Sequence, residues 1–240
     1  MIALLKIEWL RITRNKKYIF ITAAMPIALF LVFSSMIKGE NKNFIEEFML
    51  SMTTFCLTSF ALFNFPFDIM EDRNNGWNET LKKVPLNKYQ IFTVKVVKMT
   101  IESAVCIILI FLTGYFFKGI HLTLSQWIIS GLMLLFGSVI FLSLGLLLTL
   151  FKNMQTASVF SNVFYFLLAL LGGLWFPLSQ FPKWVQRLGK TTPTYHFREL
   201  AVGYINNGKI PLQSLIILVT YGLIFFLIYI VLSRKQNKSL

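Results

Sequence analysis

The chain has 240 residues, of which 56% are hydrophobic and 25 are phenylalanine, and it carries a formal net charge of +13. That is more apolar surface than one soluble core can hide, and most of it falls in runs of about twenty residues, which excludes an ordinary soluble domain. The basic excess would suit a nucleic-acid binder, but the 23 lysines and arginines sit beside and between the apolar runs and form no single basic face, so no nucleic-acid partner is expected.

Residues 1–17 mix Leu4, Leu5, Ile7, Trp9, Leu10 and Ile12 with Lys6, Glu8, Arg11 and Arg14. Too short and too charged to cross a bilayer, this stretch suits a helix lying in the interface with its bases toward lipid phosphates; a plain extension of the first span is the alternative. No processed signal peptide is expected, because the apolar run after Lys16 and Lys17 is long enough to span. Six runs match a bilayer near residues 18–37, 45–66, 96–117, 125–150, 156–177 and 212–232, which predicts an all-α integral membrane protein with a single transmembrane domain. In the third run Lys98 and Glu102 stand four apart, and are expected to pair near the headgroups.

With the N-terminus inside, fifteen of the 23 basic residues fall on the cytoplasmic side, so both termini are expected to be cytoplasmic. Residues 178–211, which carry Lys183, Arg187, Lys190, Arg198 and Lys209, lie outside in this scheme against the charge rule. Six spans are kept because the runs flanking that segment are long and uncharged.

The wettest stretch is 70–92, MEDRNNGWNETLKKVPLNKYQIF. Asn74, Asn75 and Gly76 signal a turn. Trp77, Leu81 and Val84 then recur on one helical side, Pro85 stops the pattern, and Asn87 with Gln90 three residues later has the spacing of a capping box that opens the next helix. Such ordered punctuation predicts either a rigid lever that docks in another protein or a structured loop packing on its own bundle.

Glu71, Arg73, Gly76, Leu81, Pro85-Leu86, Tyr89, Ile91-Phe92 and Lys95 together resemble the first cytoplasmic loop of ABC-2 type permeases, the membrane subunits of a class of ATP-binding-cassette exporters. The basic amphipathic start KIEWLRITRNKKY, Met25-Pro26 in the first span, and GGLWFPLSQFPKWVQRLGKTTPTYHFRELAVGYINNGK extend the likeness over nearly the whole chain. The resemblance implies that 70–92 holds a cytoplasmic coupling helix, with Glu71, Asp72, Arg73, Gly76, Trp77, Leu81 and Pro85 as the ATPase-docking set. Here Glu-Asp-Arg and Gly76-Trp77 replace the family's more usual Glu-Arg and Gly-Thr. It also implies an outer, partly re-entrant helical element before the last span, two copies of an ABC ATPase as partners, a second or paralogous permease copy, contact with membrane lipids, and residence in the cell membrane. The cargo implied is an amphiphilic compound such as an antimicrobial peptide, drug or lipid, moved outward.

No cofactor is expected on this chain, and ATP and Mg would belong to the partner. A phosphate loop needs GxxxxGK[ST], and before Gly189-Lys190-Thr191 the first glycine is replaced by Trp184. His121 and His196 stand without carboxylate or cysteine at ligand spacing, so no metal is expected; Cys56 and Cys106 read as small core residues, with neither a disulfide nor a metal site supported. Asn64 near Pro66, and Ser158, Ser161 and Asn162, are the polar groups expected to face a transport pathway, with helix–helix hydrogen bonding as the alternative. Gly172-Gly173 allows either close packing or a chain break. Two other functions remain in view: a secondary transporter, which would need intramembrane ionisable groups where only Glu102 approaches the role, and a membrane sensor or scaffold.

Overall fold

The computed structural model describes residues 2–14, 16–36, 42–76 and 87–238, and among them every regular element is helical. In chain order these are α1 (Ile2–Arg14), α2 (Lys16–Met36), α3 (Lys42–Ser59), a π-helical turn (Phe60–Asn64), α4 (Phe65–Asn74), α5 (Lys88–Lys118), α6 (Leu124–Leu148) and α7 (Met154–Leu171). A 3₁₀ turn (Leu178–Gln180), α8 (Lys183–Gly189), α9 (Pro193–Asn207) and α10 (Leu212–Lys238) complete the chain. Among the described residues five helical stretches are long and apolar enough to cross a membrane: Lys42–Asn74, Tyr89–Lys118, Leu124–Leu148, Met154–Leu171 and Leu212–Lys235. Of α2, the apolar stretch Thr22–Met36 falls below that length, so five of the six expected spans meet it.

The bundle is built around α3. In the most apolar window of Lys42–Asn74, 94% of residues are buried, against 11% in that of α10, which places one helix at the axis and the other at the exposed edge of the bundle. A central helix in an apolar bundle must satisfy its own polar groups. The hydroxyls of Ser51, Thr53, Thr54 and Thr58 do so by donating to the carbonyls of Glu47, Met49, Leu50 and Thr54 one turn back, at 2.8 to 2.9 Å.

The expected end of this span, at residue 66, is not where the helix ends. It continues to Asn74 through the π turn, and Pro66 explains the change of winding. Proline has no N–H to give the carbonyl of residue 62, and its ring would press on that carbonyl in an α-helix. The wider turn, in which Phe65 N–H donates to Phe60 O, relieves the crowding. Ser161 of α7 donates its hydroxyl to Leu62 O at 2.8 Å and so replaces the missing donor. Gly145 of α6 faces the same turn, where a Cβ would run into the Ala61 carbonyl.

The other ends follow their sequence signals. Asn87 and Gln90 form the capping box at the start of α5, and Thr123 with Gln126 form another at α6. Helix α7 stops at Leu171, six residues earlier than the hydrophobicity alone suggests, because Gly173 adopts φ +70°. Gly172 also packs so closely on Thr194 that a Cβ would collide, so the glycine pair serves both readings, break and close packing. One expectation is overturned: Cys56 on α3 and Cys106 on α5, fully buried, are joined through their sulfurs. Their separation of 50 residues gives no spacing signal; only the packing of α3 on α5 brings them together.

Candidate functional site: a charged junction at one end of the bundle

Three helices meet at the end of the bundle where α4 ends and α5 begins. Helix α4 presents Asp68 and Asp72 four residues apart, α5 presents Lys95, Lys98 and Glu102 along one face, and α1 presents Glu8 and Arg11 three apart. Lys95 Nζ lies 2.5 Å from Asp68, 2.5 Å from Asp72 and 3.1 Å from Glu8. Lys98 Nζ lies 2.7 Å from Asp68 and 3.5 Å from Glu8. Arg11 Nη1 reaches Asp72 at 3.0 Å and Glu8 at 3.1 Å. Burial works against the Arg11 charge, but Glu8, Asp72 and Asp68 outweigh it and hold its pKa above the usual arginine value.

The Lys95 and Glu8 side chains are 5% and 6% exposed, so these charges are far from bulk water. A buried ion pair adds little net stability over a well-packed apolar alternative, yet removing one partner is costly because the other is left uncompensated. Here Asp68 and Asp72 are each shared between two cations and Glu8 among three, and each cation touches at least two carboxylates. The arrangement fixes the relative position of α1, α4 and α5 as a unit.

A cavity of about 500 Å³ opens beside the junction. Exposed Arg14, Glu71 and Asn75 lie at its rim, and buried Asn64, Met99 and Glu102 form its inner wall. The expected Lys98–Glu102 pair does not form. Lys98 turns to Asp68 and Glu8 instead, because two carboxylates from other helices outcompete one on its own helix.

Of the residues implied in docking, Glu71 is exposed, and Asn75 Nδ2 donates to it at 3.4 Å. Asp72 is buried in the ion-pair junction, and Arg73 donates to the carbonyls of Thr149 and Phe151, at 3.2 and 3.0 Å, just past the end of α6. Gly76 closes the turn with φ +69°, while Trp77, Leu81 and Pro85 lie outside the described residues. Of the residues expected on a pathway, Asn64 lines the cavity together with Glu102. Ser161 is buried and serves the π turn; Ser158 and Asn162 lie along α7 away from the cavity, Asn162 exposed and donating to Ser158 O at 2.8 Å.

The sequence reading missed Asp68 and took Glu8, Arg11 and Lys95 for interfacial or topological charges. A signal was present: acids four apart at the end of one apolar run, bases three apart at the start of the next.

The opposite end of the bundle is held differently. Arg198 of α9 donates to Ser51 Oγ at 2.6 Å and to Glu47 at 3.0 Å, and Asn206 donates to the other Glu47 oxygen at 2.8 Å. The adjoining void is only about 20 Å³. Burial raises the pKa of nearby Glu199 despite the opposing pull of Arg198.

Long apolar helices around a buried polar axis, with a charged junction where two of them leave the bundle, define a multi-pass membrane protein. The model of the ABC-2 type transporter family matches residues 1–206, and the chain belongs to that family. It is 30% identical over 233 residues to a Bacillus subtilis (strain 168) protein named "Putative transport permease YvfS", an alignment spanning 96% of this chain and 95% of that one. The family is that of a transport subunit rather than an enzyme.

Proposed function

We propose that the chain is the membrane-spanning subunit of an ABC exporter in the cell membrane, driven by a separate ATPase and moving an amphiphilic compound outward. The α1–α4–α5 end and both termini face the cytoplasm, and α8 and α9 form the outer element. The observation that supports the reading best is the charged junction. The two helices that flank 77–86 are tied by ion pairs to each other and to α1, so a push on that segment moves three helices together. Such rigid transfer is what a nucleotide-driven partner requires of its docking lever. With Asp72 turned inward and Arg73 bound to carbonyls, Glu71 is the charge at this end of the lever left to meet a partner, and Trp77 and Leu81 are its apolar anchors.

Two copies of the chain act together. The outward side of α7 carries Asn162 among exposed Val159, Phe160, Val163 and Phe164, and an amide on a spanning helix is costly against lipid. A second copy or the transport pathway covers that side.

The test is Glu71→Lys, and separately Trp77→Ala, expressed with a candidate ATPase. Both should reach the membrane at parental levels. Co-purification of the ATPase should fall about a hundredfold for the charge reversal, equivalent to about 2.7 kcal/mol. Normal insertion with unchanged ATPase retention and transport in both variants would end the lever reading.

A further inference from the structure

We propose that the cavity beside the junction is a binding site for an organic ammonium group, with Glu102 as its anion. The lining carries three bases, Arg11, Arg14 and Lys98, and four acids, Asp68, Glu71, Asp72 and Glu102. Three of those acids are accounted for: Asp68 and Asp72 are shared among buried cations, and Glu71 is solvated at the rim. Glu102 is not. Only 5% exposed, it lines the cavity together with Asn64, and among the described residues no lysine, arginine or histidine nitrogen lies within 4.0 Å of it. Its neighbour Lys98 is committed to Asp68 and Glu8.

A carboxylate in a spanning helix that faces a cavity and feels Lys98 only beyond ion-pair contact marks a place where a cation from outside the chain lowers the energy. The cavity selects its chemistry. At about 500 Å³ it is the size of a small-molecule pocket, far larger than a bare ion needs. Among the described residues no group of three or more His, Cys, Asp or Glu is placed to hold a metal ion. Phe67 and Met99 add a π-face and a thioether to the lining, surfaces that favour an alkylammonium over a hydrated metal. Such a group comes either from a free amphiphilic amine or from the ethanolamine headgroup of an inner-leaflet phospholipid. The site needs only the membrane placement of α5, not an ATPase, so its failure would leave the docking proposal standing.

The purified chain in maltoside micelles is titrated with tritiated octylamine in a scintillation-proximity assay, with tritiated octanol as the neutral probe. Saturable octylamine binding is expected, with octanol at least tenfold weaker. Glu102→Gln should weaken octylamine at least tenfold, and Glu102→Asp should restore part of it. Added phosphatidylethanolamine that displaces octylamine while phosphatidylglycerol does not identifies the headgroup as an occupant; no displacement by either restricts the site to free amines. Equal binding of octylamine and octanol by the parent chain overturns the proposal even if the variants do not fold. So does octylamine binding by folded Glu102→Gln that matches the parent, the result expected if Glu102 simply holds a proton.

Discussion

The two ends of the bundle are each closed by long-range charge pairs, but they are built on different plans. At the α9 end a single guanidinium bridges Glu47 and Ser51 over a void of about 20 Å³, and each hydrogen bond has one donor and one acceptor. At the α4 end three cations and three carboxylates are shared among three helices beside a cavity of about 500 Å³. The first plan is a latch, in which losing one bond releases one contact. The second is a joint: each charge is held by two or more neighbours, so no single contact releases alone and the three helices move as one body.

The largest effect is expected at the joint. Asp68 serves both lysines, and Asp68→Asn leaves two buried ammonium groups with less countercharge. A loss of about 3 kcal/mol is expected, read by denaturant unfolding in detergent. Adding Lys98→Met should recover part of it, because the uncompensated charge goes with it. A double variant as unstable as the single would show that the residues do not act as a shared network.

At the latch the expected cost is smaller. Arg198→Ala removes a charge-assisted bond to Glu47 and one to Ser51, but Glu47 is 32% exposed and water takes over part of the lost contact. About 2 kcal/mol of stability should go, by the same unfolding measurement. ATPase retention should be unchanged, whereas Asp68→Asn should weaken it. Equal loss of retention in both variants would erase the distinction between latch and joint.

The orientation of the two ends is open to direct measurement. A cysteine at exposed Asn207, in a chain with Cys56 and Cys106 replaced, should react with an impermeant thiol reagent on intact cells. Reaction only after permeabilisation would place the latch inside.

Much of the helical plan was legible in the sequence because hydrophobic length, capping boxes and glycine stops are local signals. Asn87 with Gln90 and Gly76 show this most directly. What escaped was whatever depends on which helices become neighbours. Cys56 finds Cys106, and Lys98 abandons Glu102 for Asp68, only because α3, α4 and α5 pack together. Asp68 went unseen for the same reason: an acid at the end of an apolar run has no meaning until its cations are placed. Pro66 was the instructive case, since its missing N–H was readable but its remedy, Ser161, lies 99 residues from the orphaned carbonyl.

That remedy gives the smallest and most specific effect. The π turn connects the axis helix α3 to α4, which carries both aspartates of the joint, so it is where movement of the joint would be absorbed. Ser161→Ala removes the one hydroxyl that donates to Leu62 O, and Pro66 cannot replace it. The serine also donates to Ala157 O, but that carbonyl keeps its α-helical partner, so the deficit falls on Leu62. A loss of about 1 kcal/mol is expected, within the range for a single buried neutral hydrogen bond. Ser161→Thr keeps the donor and should restore it if the extra methyl fits. Hydrogen exchange should locate the change, faster along 60–74 and unaltered along α9. If exchange instead rises evenly at both ends, the π turn is an ordinary packing contact, and the joint moves about some other point.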